Sequence, residues 1–290
     1  MTPEMQKIVV VTGGAGFIGS NLCARLKTSG YRVISLDNYS TGSKANHREG
    51  VEYREGHTKD IAKYITETPD IVYHLGEYAR VEQSFDDVAR VLESNSQGTQ
   101  AVLEFWRAKK CKLLYAGSST KFADGGIGRD QSPYAWTKAT NTELVKNYAE
   151  WFGLPYAITY FYNVYGPGER GDSTSGSVIG IFKELYEKKK PLSVRLPGTQ
   201  RRNFTYIDDI VRGLVLVGEH GQGDEYGLGN PNSYSIMEVA QMFGGEIIML
   251  PERPGNRMES RVDVRRTELE LGWKATHTLP AYIAEIVKNS

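Results

Sequence analysis

The sequence predicts an α/β fold: a doubly wound parallel sheet followed by a smaller C-terminal α/β region. Short apolar runs rich in β-branched residues alternate with longer stretches carrying apolar residues at helical spacing, the pattern of a parallel sheet with helices on both faces. The first run, residues 7–12, passes directly into a glycine cluster. Beyond Tyr160 the alternation weakens, and the glycine-rich residues 166–176 mark a change of organisation.

Residues 7–12 read as a buried strand, and the glycines after them let the chain turn into a helix beginning near Phe17. Gly14-x-Gly16-x-x-Gly19 satisfies the dinucleotide fingerprint of a Rossmann sheet, and Gly13-x-x-Gly16-x-x-Gly19 is a second reading of the same loop. A helix N-terminus offers free amide N–H groups and a positive dipole end, so this loop is expected to receive a pyrophosphate through Gly13, Gly16, Phe17, Ile18 and Gly19. A second strand, residues 32–36, ends at Asp37. An acidic residue there suits a ribose 2′-hydroxyl and repels a 2′-phosphate, which predicts NAD as the cofactor.

The turn-like residues 38–42 follow, with Asn38, Ser40, Thr41 and Gly42 expected beside the cofactor. Residues 51–54 read as a third strand, 60–68 as a helix, 71–75 as a fourth strand, 88–108 as a helix, 112–116 as a fifth strand and 136–152 as a long helix. Segments following Leu75, Ala116 and Phe161 should line one crevice, because doubly wound sheets bind ligands at the carboxyl ends of their strands. Further on, residues 206–217 and 236–242 look helical, 246–249 look like a strand, and 251–257 form a basic loop before the Gly272-Trp273 turn and a last helix. The expected division is a cofactor domain over residues 1–166, with 203–229 returning to it, and a substrate domain over 167–202 and 230–290.

Lysine and arginine balance aspartate and glutamate at 35 each, so net charge gives no indication of nucleic acid or an anionic membrane. No apolar run reaches the roughly 18 residues of a membrane helix, and the first residues lack the blocks of a signal peptide. A cytoplasmic location is expected. Cys23 and Cys111 lack metal-ligand spacing and read as buried free thiols, and the five scattered histidines give no metal site.

The reactive residues follow the fifth strand. Ser118-Ser119-Thr120 lies at its end, and Tyr134-Ala-Trp-Thr-Lys138 opens the next helix. Residues four apart share a helix face, so the Tyr134 hydroxyl and the Lys138 ammonium can point into the same crevice. A phenol with a reference pKa of about 10 becomes a usable general base when a neighbouring cation stabilises its phenolate.

With these motifs in place, the sequence resembles the extended short-chain dehydrogenase/reductase family, its nucleotide-sugar epimerases above all. TGGAGFIGS at 12–20, DNYSTG at 37–42, YHLGE at 73–77, NSQGT at 95–99, SST at 118–120, YAWTK at 134–138, YNVYGPGE at 162–169, QRRNFTYIDD at 200–209, RPG at 253–255 and LGW at 271–273 carry the likeness over nearly the whole chain. The resemblance implies that Ser118 hydrogen-bonds the reacting hydroxyl, Tyr134 is base and acid, and Lys138 orients the nicotinamide ribose. Leu75 and Gly76 would touch the cofactor. Glu77, Arg80, Ser119, Thr120 and Asn163 would meet the substrate, a nucleotide-diphosphate sugar, and Arg202 and Arg253 would grip its phosphates, for which guanidinium forks are suited. Asp208 and Asp209 read as helix caps. The likeness also implies a homodimer joined by a four-helix bundle from 88–108 and 136–152.

Several positions depart from the family pattern. His57 replaces the usual acid near the adenine, Gly76-Glu77 replace alanines, and Tyr160 replaces an arginine. Only 16 positions separate Ser118 from Tyr134, fewer than usual. The leading expectation is an NAD-dependent epimerase acting at C4. A 4,6-dehydratase, a keto-sugar reductase and a non-catalytic dinucleotide sensor are the alternatives.

Overall fold

The computed structural model describes residues 6–119, 128–171, 176–252 and 262–290. In chain order the strands are β1 (Ile8–Thr12), β2 (Arg32–Asp37), β3 (Glu52–Glu55), β4 (Ile71–His74), β5 (Lys112–Ser118), β6 (Tyr156–Phe161), β7 (Val164–Tyr165), β8 (Leu192–Arg195), β9 (Arg201–Asn203), β10 (Thr205–Tyr206), β11 (Gly223–Leu228), β12 (Ser233–Ser235) and β13 (Ile247–Leu250). The α-helices are α1 (Phe17–Thr28), α2 (Ile61–Tyr64), α3 (Val88–Val91), α4 (Gly98–Lys109), α5 (Pro133–Phe152), α6 (Val178–Glu187), α7 (Ile207–His220), α8 (Ile236–Phe243), α9 (Arg265–Leu271) and α10 (Leu279–Asn289).

Seven strands pair in parallel in the order β11-β6-β5-β4-β1-β2-β3, the doubly wound arrangement expected from the alternating pattern. Successive side chains of β1 point to opposite faces. Val9 and Val11 join Leu22, Ile210, Leu214 and Trp273 under α1 and α7, while Val10 joins Val72, Val102, Trp106 and Val145 under α4 and α5. The third core holds Phe182, Leu192, Val194, Val239, Phe243 and Ile283, and covers the paired β8 and β13. α7 and β11 return to the large sheet, α7 against α1 and β11 beside β6.

The differences from the sequence pattern have local causes. The helix expected over 60–68 shrinks to α2, because Ile65 leaves helical space at φ −115°, ψ 99° and Pro69 lies just beyond. The helix expected over 88–108 is interrupted by a π-helical segment, Leu92–Gln97. There Asn95 turns its polar groups outward from the helix, its side chain bonding Tyr78 N at 2.7 Å and Tyr78 O at 3.1 Å and its carbonyl accepting from Asn141 Nδ2 at 2.8 Å. β11 is not announced by its sequence, since Gly223, Asp224 and Glu225 form strands poorly; the register shifts there and Glu225 sits at φ 75°. Pairing with β6 and burial of Tyr226 and Leu228 hold it in place.

Asp208 and Asp209 sit in the first turn of α7, but no side chain caps it at Tyr206. Asp209 is buried and instead binds Thr276 N and His277 N, both at 2.9 Å, and Arg212 Nη2 at 2.9 Å. It anchors the segment leading into α10.

Candidate active site

The parallel register brings the carboxyl ends of the strands to one edge: Thr12 of β1 is level with His74 of β4, and Ser118 of β5 with Phe161 of β6. The crevice expected from the sequence therefore lies beside β1 and β4, where the strand order reverses.

The glycine loop opens it. Gly13 takes φ +74°, and a Cβ there would press to 2.9 Å from Gly76 Cα, so the loop after β1 and the loop after β4 meet backbone to backbone. A Cβ on Gly19 would lie 2.1 Å from the Gly13 carbonyl oxygen, which gives the third glycine its packing reason. Gly16 stands at the N-cap of α1 without a side-chain cap, followed by Phe17 and Ile18 in the first turn. Asp37, at the end of β2, accepts from Ala15 N at 2.9 Å and Tyr39 N at 2.8 Å. Burial pushes its carboxyl up, and these two amides and His47 oppose the rise. Asn38 accepts from Ser40 N, Arg170 Nη1 donates to Thr41 O, and a Cβ on Gly42 would meet Asp37 Oδ1 at 3.0 Å, which keeps this turn close to the carboxylate.

On the other side of the edge, Tyr134 O–H donates to Ser118 Oγ at 3.3 Å. Ser132 caps α5 by accepting from Ala135 N at 3.1 Å, and Pro133 fits the first turn, so the helix starts where Tyr134 must face the strand. One turn later Lys138 donates to Ala116 O and forms an ion pair with Glu77, with side-chain exposures of 6% and 4%. Glu77, expected at the substrate, is enclosed: Oε1 accepts from Thr99 Oγ1 at 2.9 Å, Tyr115 OH at 3.1 Å and Asn141 Nδ2 at 2.9 Å. Burial pushes its carboxyl up, but the Lys138 charge and the bonds from Lys138 and Thr99 outweigh that and hold it below the usual carboxylate range.

Behind this group lies a buried chain with one direction. Thr12 Oγ1 accepts from Leu75 N at 3.1 Å and Gly76 N at 2.9 Å, so its own hydrogen is left for His74 Nδ1 at 2.8 Å. His74 then carries its proton on Nε2 and donates to Thr99 Oγ1 at 2.9 Å, and Thr99 donates to Glu77. Burial lowers His74 to about 4, with Lys138 adding to the fall and Glu77 opposing it, so the ring is neutral near pH 7. Thr12, His74 and Thr99 fall inside the motifs quoted above but carried no expected role, and Tyr115 and Asn141 went unmarked; the signal was the polar Thr12 and His74 at the ends of apolar strands.

The remaining expected site residues are more dispersed. Ser119 is half-buried next to Ser118, and Arg80 is half-buried in the loop after β4. Asn163 is exposed at φ 33°, and its Nδ2 donates to Asn203 O at 2.8 Å, tying the end of β6 to β9. Arg202, on β9, donates to Arg201 O at 2.8 Å, whereas Arg201 is engaged by Ser233 and Glu238. Thr120 and Arg253 lie outside the described residues. Two departures from the family pattern have structural partners: His57 Nδ1 accepts from Lys59 N at 3.1 Å, and Tyr160 donates inside the fold to Asp224 Oδ1 at 2.6 Å. Among the described residues no cluster of His, Cys, Asp or Glu could hold a metal ion, and no helix is long and apolar enough to cross a membrane.

Residues 9–229 match the model of the NAD dependent epimerase/dehydratase family. The chain belongs to that family. Among its relatives, UDP-glucuronic acid decarboxylase 1 of Xenopus tropicalis is 28% identical over 296 residues, covering 94% of this chain and 70% of that protein. UDP-glucose 4-epimerase of Thermotoga maritima, solved with UDP-glucose, aligns with a TM-score of 0.89 at 25% identity over 97% of each chain. UDP-glucose 4-epimerase of Thermus thermophilus, solved in complex with NAD, aligns with a TM-score of 0.87 at 26% identity over 97% of this chain and 98% of that one. This member of the NAD-dependent epimerase/dehydratase family is thus an enzyme whose cofactor is NAD. Its residues fit that group: Gly13, Gly14 and Gly19 leave no room for a Cβ, the N-terminus of α1 carries no side-chain cap and so keeps amide N–H groups for an anion, and the buried Asp37 carboxylate ends the neighbouring strand.

Proposed function

We propose that the enzyme epimerises a nucleotide-diphosphate sugar at C4. The observation that carries this reading is the Tyr134–Ser118 hydrogen bond at the sheet edge, with Lys138 one helical turn from Tyr134 and the glycine loop across the strand reversal. NAD supplies the hydride acceptor and donor. In this reading Ser118 holds the C4 hydroxyl, Tyr134 takes its proton as the C4–H bond breaks, and the same phenol returns a proton once the keto sugar has presented its other face. Arg202 and Arg253 meet the diphosphate, and Asn163 and Arg80 meet the sugar or its linkage.

Oxidation at C4 also begins dehydration and decarboxylation, and the likeness to a UDP-glucuronic acid decarboxylase makes the latter a second reading. Dehydration needs an acid and a base beyond the hydride step, and Ser119-Thr120 stand here where the family's dehydratases carry an acidic pair. Glu77, the nearest carboxyl after β4, is committed to Lys138. Incubating the NAD-loaded protein with UDP-, GDP-, CDP- and dTDP-sugars, uronic acids included, in D₂O separates the outcomes by NMR. Epimerisation leaves the carbon-bound positions unlabelled. Deuterium at C6 with loss of the C6 hydroxyl means dehydration, and release of carbon dioxide with deuterium at C5 means decarboxylation; either overturns the proposal.

A second copy of the chain is proposed to pack on α5 and the 88–109 segment. Phe85 and Trp136 expose 59% and 45% of their surface and, with Val88 and Leu92, form one apolar face beside Pro133.

A further inference from the structure

We propose that Glu77 is a positioning residue: its carboxylate seats the Lys138 ammonium against the Ala116 carbonyl and balances its charge, so that a neutral Lys138–Glu77 pair sets the pH range in which Tyr134 works. The inference rests on reading Tyr134 and Lys138 as the proton-transfer centre, and goes beyond it by assigning a residue where the family pattern has alanine.

Both side chains are almost wholly enclosed, and a lone charge in such a place would be neutralised or expelled. The surroundings of Glu77 are built for an anion. Thr99, Tyr115 and Asn141 all donate to Oε1 and Lys138 to Oε2; a protonated carboxyl would set a donor against a donor. The Thr12–His74–Thr99 chain enforces the same polarity from behind, because every hydrogen in it points toward the carboxylate. A sugar ligand or general acid would need an oxygen free to turn outward, and neither is.

The ammonium is fixed from three sides. Two of its three N–H bonds go to Glu77 and Ala116 O, and it lies 4.4 Å from the centroid of the Tyr115 ring. Ala116 is two residues before Ser118 on β5, so the seat of Lys138 is referenced to the strand that carries the serine. Among the described residues, the titratable groups facing the pair are His74 from β4, Tyr115 from β5 and Tyr134 from α5; α4 contributes the uncharged Thr99, and the π-helical segment Asn95. With His74 neutral, Glu77 is the charge that balances Lys138.

Glu77→Gln keeps the shape and removes the charge. Lys138 is then an unbalanced cation: Tyr134 gives up its proton more readily beside it, and the ammonium gives up its own more readily without an anion. Both limbs of the pH–rate profile of the NAD-loaded enzyme, measured on the sugar nucleotide it turns over, should move to lower pH by about one unit. Loss of the carboxylate also disfavours the positively charged nicotinamide ring, so the ratio of NADH to NAD affinity of the cofactor-stripped protein, read by fluorescence titration, should rise several-fold. A purely structural residue would lower the amount of folded enzyme and leave both unmoved; an unmoved profile or an unchanged ratio overturns the proposal. If Glu77→Gln does not fold well enough to assay, the double variant Glu77→Gln, Lys138→Met should melt higher than Glu77→Gln alone, and a double variant no more stable overturns it. Tyr134→Phe keeps the two questions apart: full turnover by that variant removes the proton-transfer reading itself, whereas an inactive Tyr134→Phe beside an unmoved Glu77→Gln profile removes only the role of Glu77.

Discussion

The phenol of Tyr134 is 3.3 Å from Ser118 Oγ and shares a helix face with Lys138, so its removal tests the chemistry with little change of shape. Tyr134→Phe is expected to fold and bind NAD normally while turnover drops by roughly 10² or more, the scale of general acid–base catalysis, measured by NMR on the accepted sugar nucleotide. Asp37 is the residue proposed to meet the other end of the cofactor. Its oxygens already bind Ala15 N and Tyr39 N, yet each keeps lone pairs for a ribose hydroxyl. Asp37→Ala removes those acceptors and the repulsion of a 2′-phosphate, and should reduce the ratio of NAD to NADP affinity by about tenfold or more, read by calorimetry on cofactor-stripped protein. Both residues were legible in the sequence because each stands at a fixed offset from a motif. Glu77 was legible only as a departure, and its partners only after folding, since Thr99, Tyr115 and Asn141 come from three elements.

The elements that make the site are the ends of β1, β4 and β5 and the first turns of α1 and α5. The loops after β1 and β4 are held together by Thr12, whose hydroxyl accepts both Leu75 N and Gly76 N and hands its hydrogen to His74. That bond has a pH consequence. An unfolded His74 takes up a proton at its ordinary value of about 6.5, whereas the folded, buried ring resists until about 4. The unfolded state therefore binds more protons across that window, so stability contributed by the neutral ring is present above about 6.5 and is lost as pH falls toward about 4. Urea midpoints measured from pH 7 to pH 4 should fall more steeply for the wild type than for His74→Gln, which has no ring to protonate and should be less stable at pH 7. The main α/β alternation was legible from apolar periodicity. The π-helical segment at Leu92–Gln97 was not, because its cause is the set of bonds from Asn95 to Tyr78 and Asn141.

At the scale of the molecule, two cores lie against the large sheet and a third covers β8 and β13. Asn163, just past β6, donates to Asn203 O on β9, and Arg170 reaches across to the turn after β2. The apolar face of Phe85, Val88, Leu92 and Trp136 lies on α5 and the segment before α4, the same elements that position Lys138 and Asn95. A second copy covering it would stiffen the site from outside. Trp136→Glu should convert a dimer to a monomer in light scattering after gel filtration, with the circular dichroism spectrum unchanged; a wild type that is monomeric at micromolar concentration would remove the dimer proposal.

The sequence by itself determined the doubly wound sheet, the glycine turn, the acidic end of the second strand and the serine, tyrosine and lysine set. Each is encoded in neighbours: strand pattern, turn residues and a four-residue helical offset all act within a few positions along the chain. The tertiary structure decided what distant residues do to one another. It placed Asp209 under the last helix instead of at a cap, recruited the weakly patterned β11 by pairing, and turned Glu77 inward to Lys138 across 61 positions of sequence. Burial is the physical reason. Once a carboxylate is enclosed, its partner must be another buried group, and which group stands within reach is a property of the packed fold.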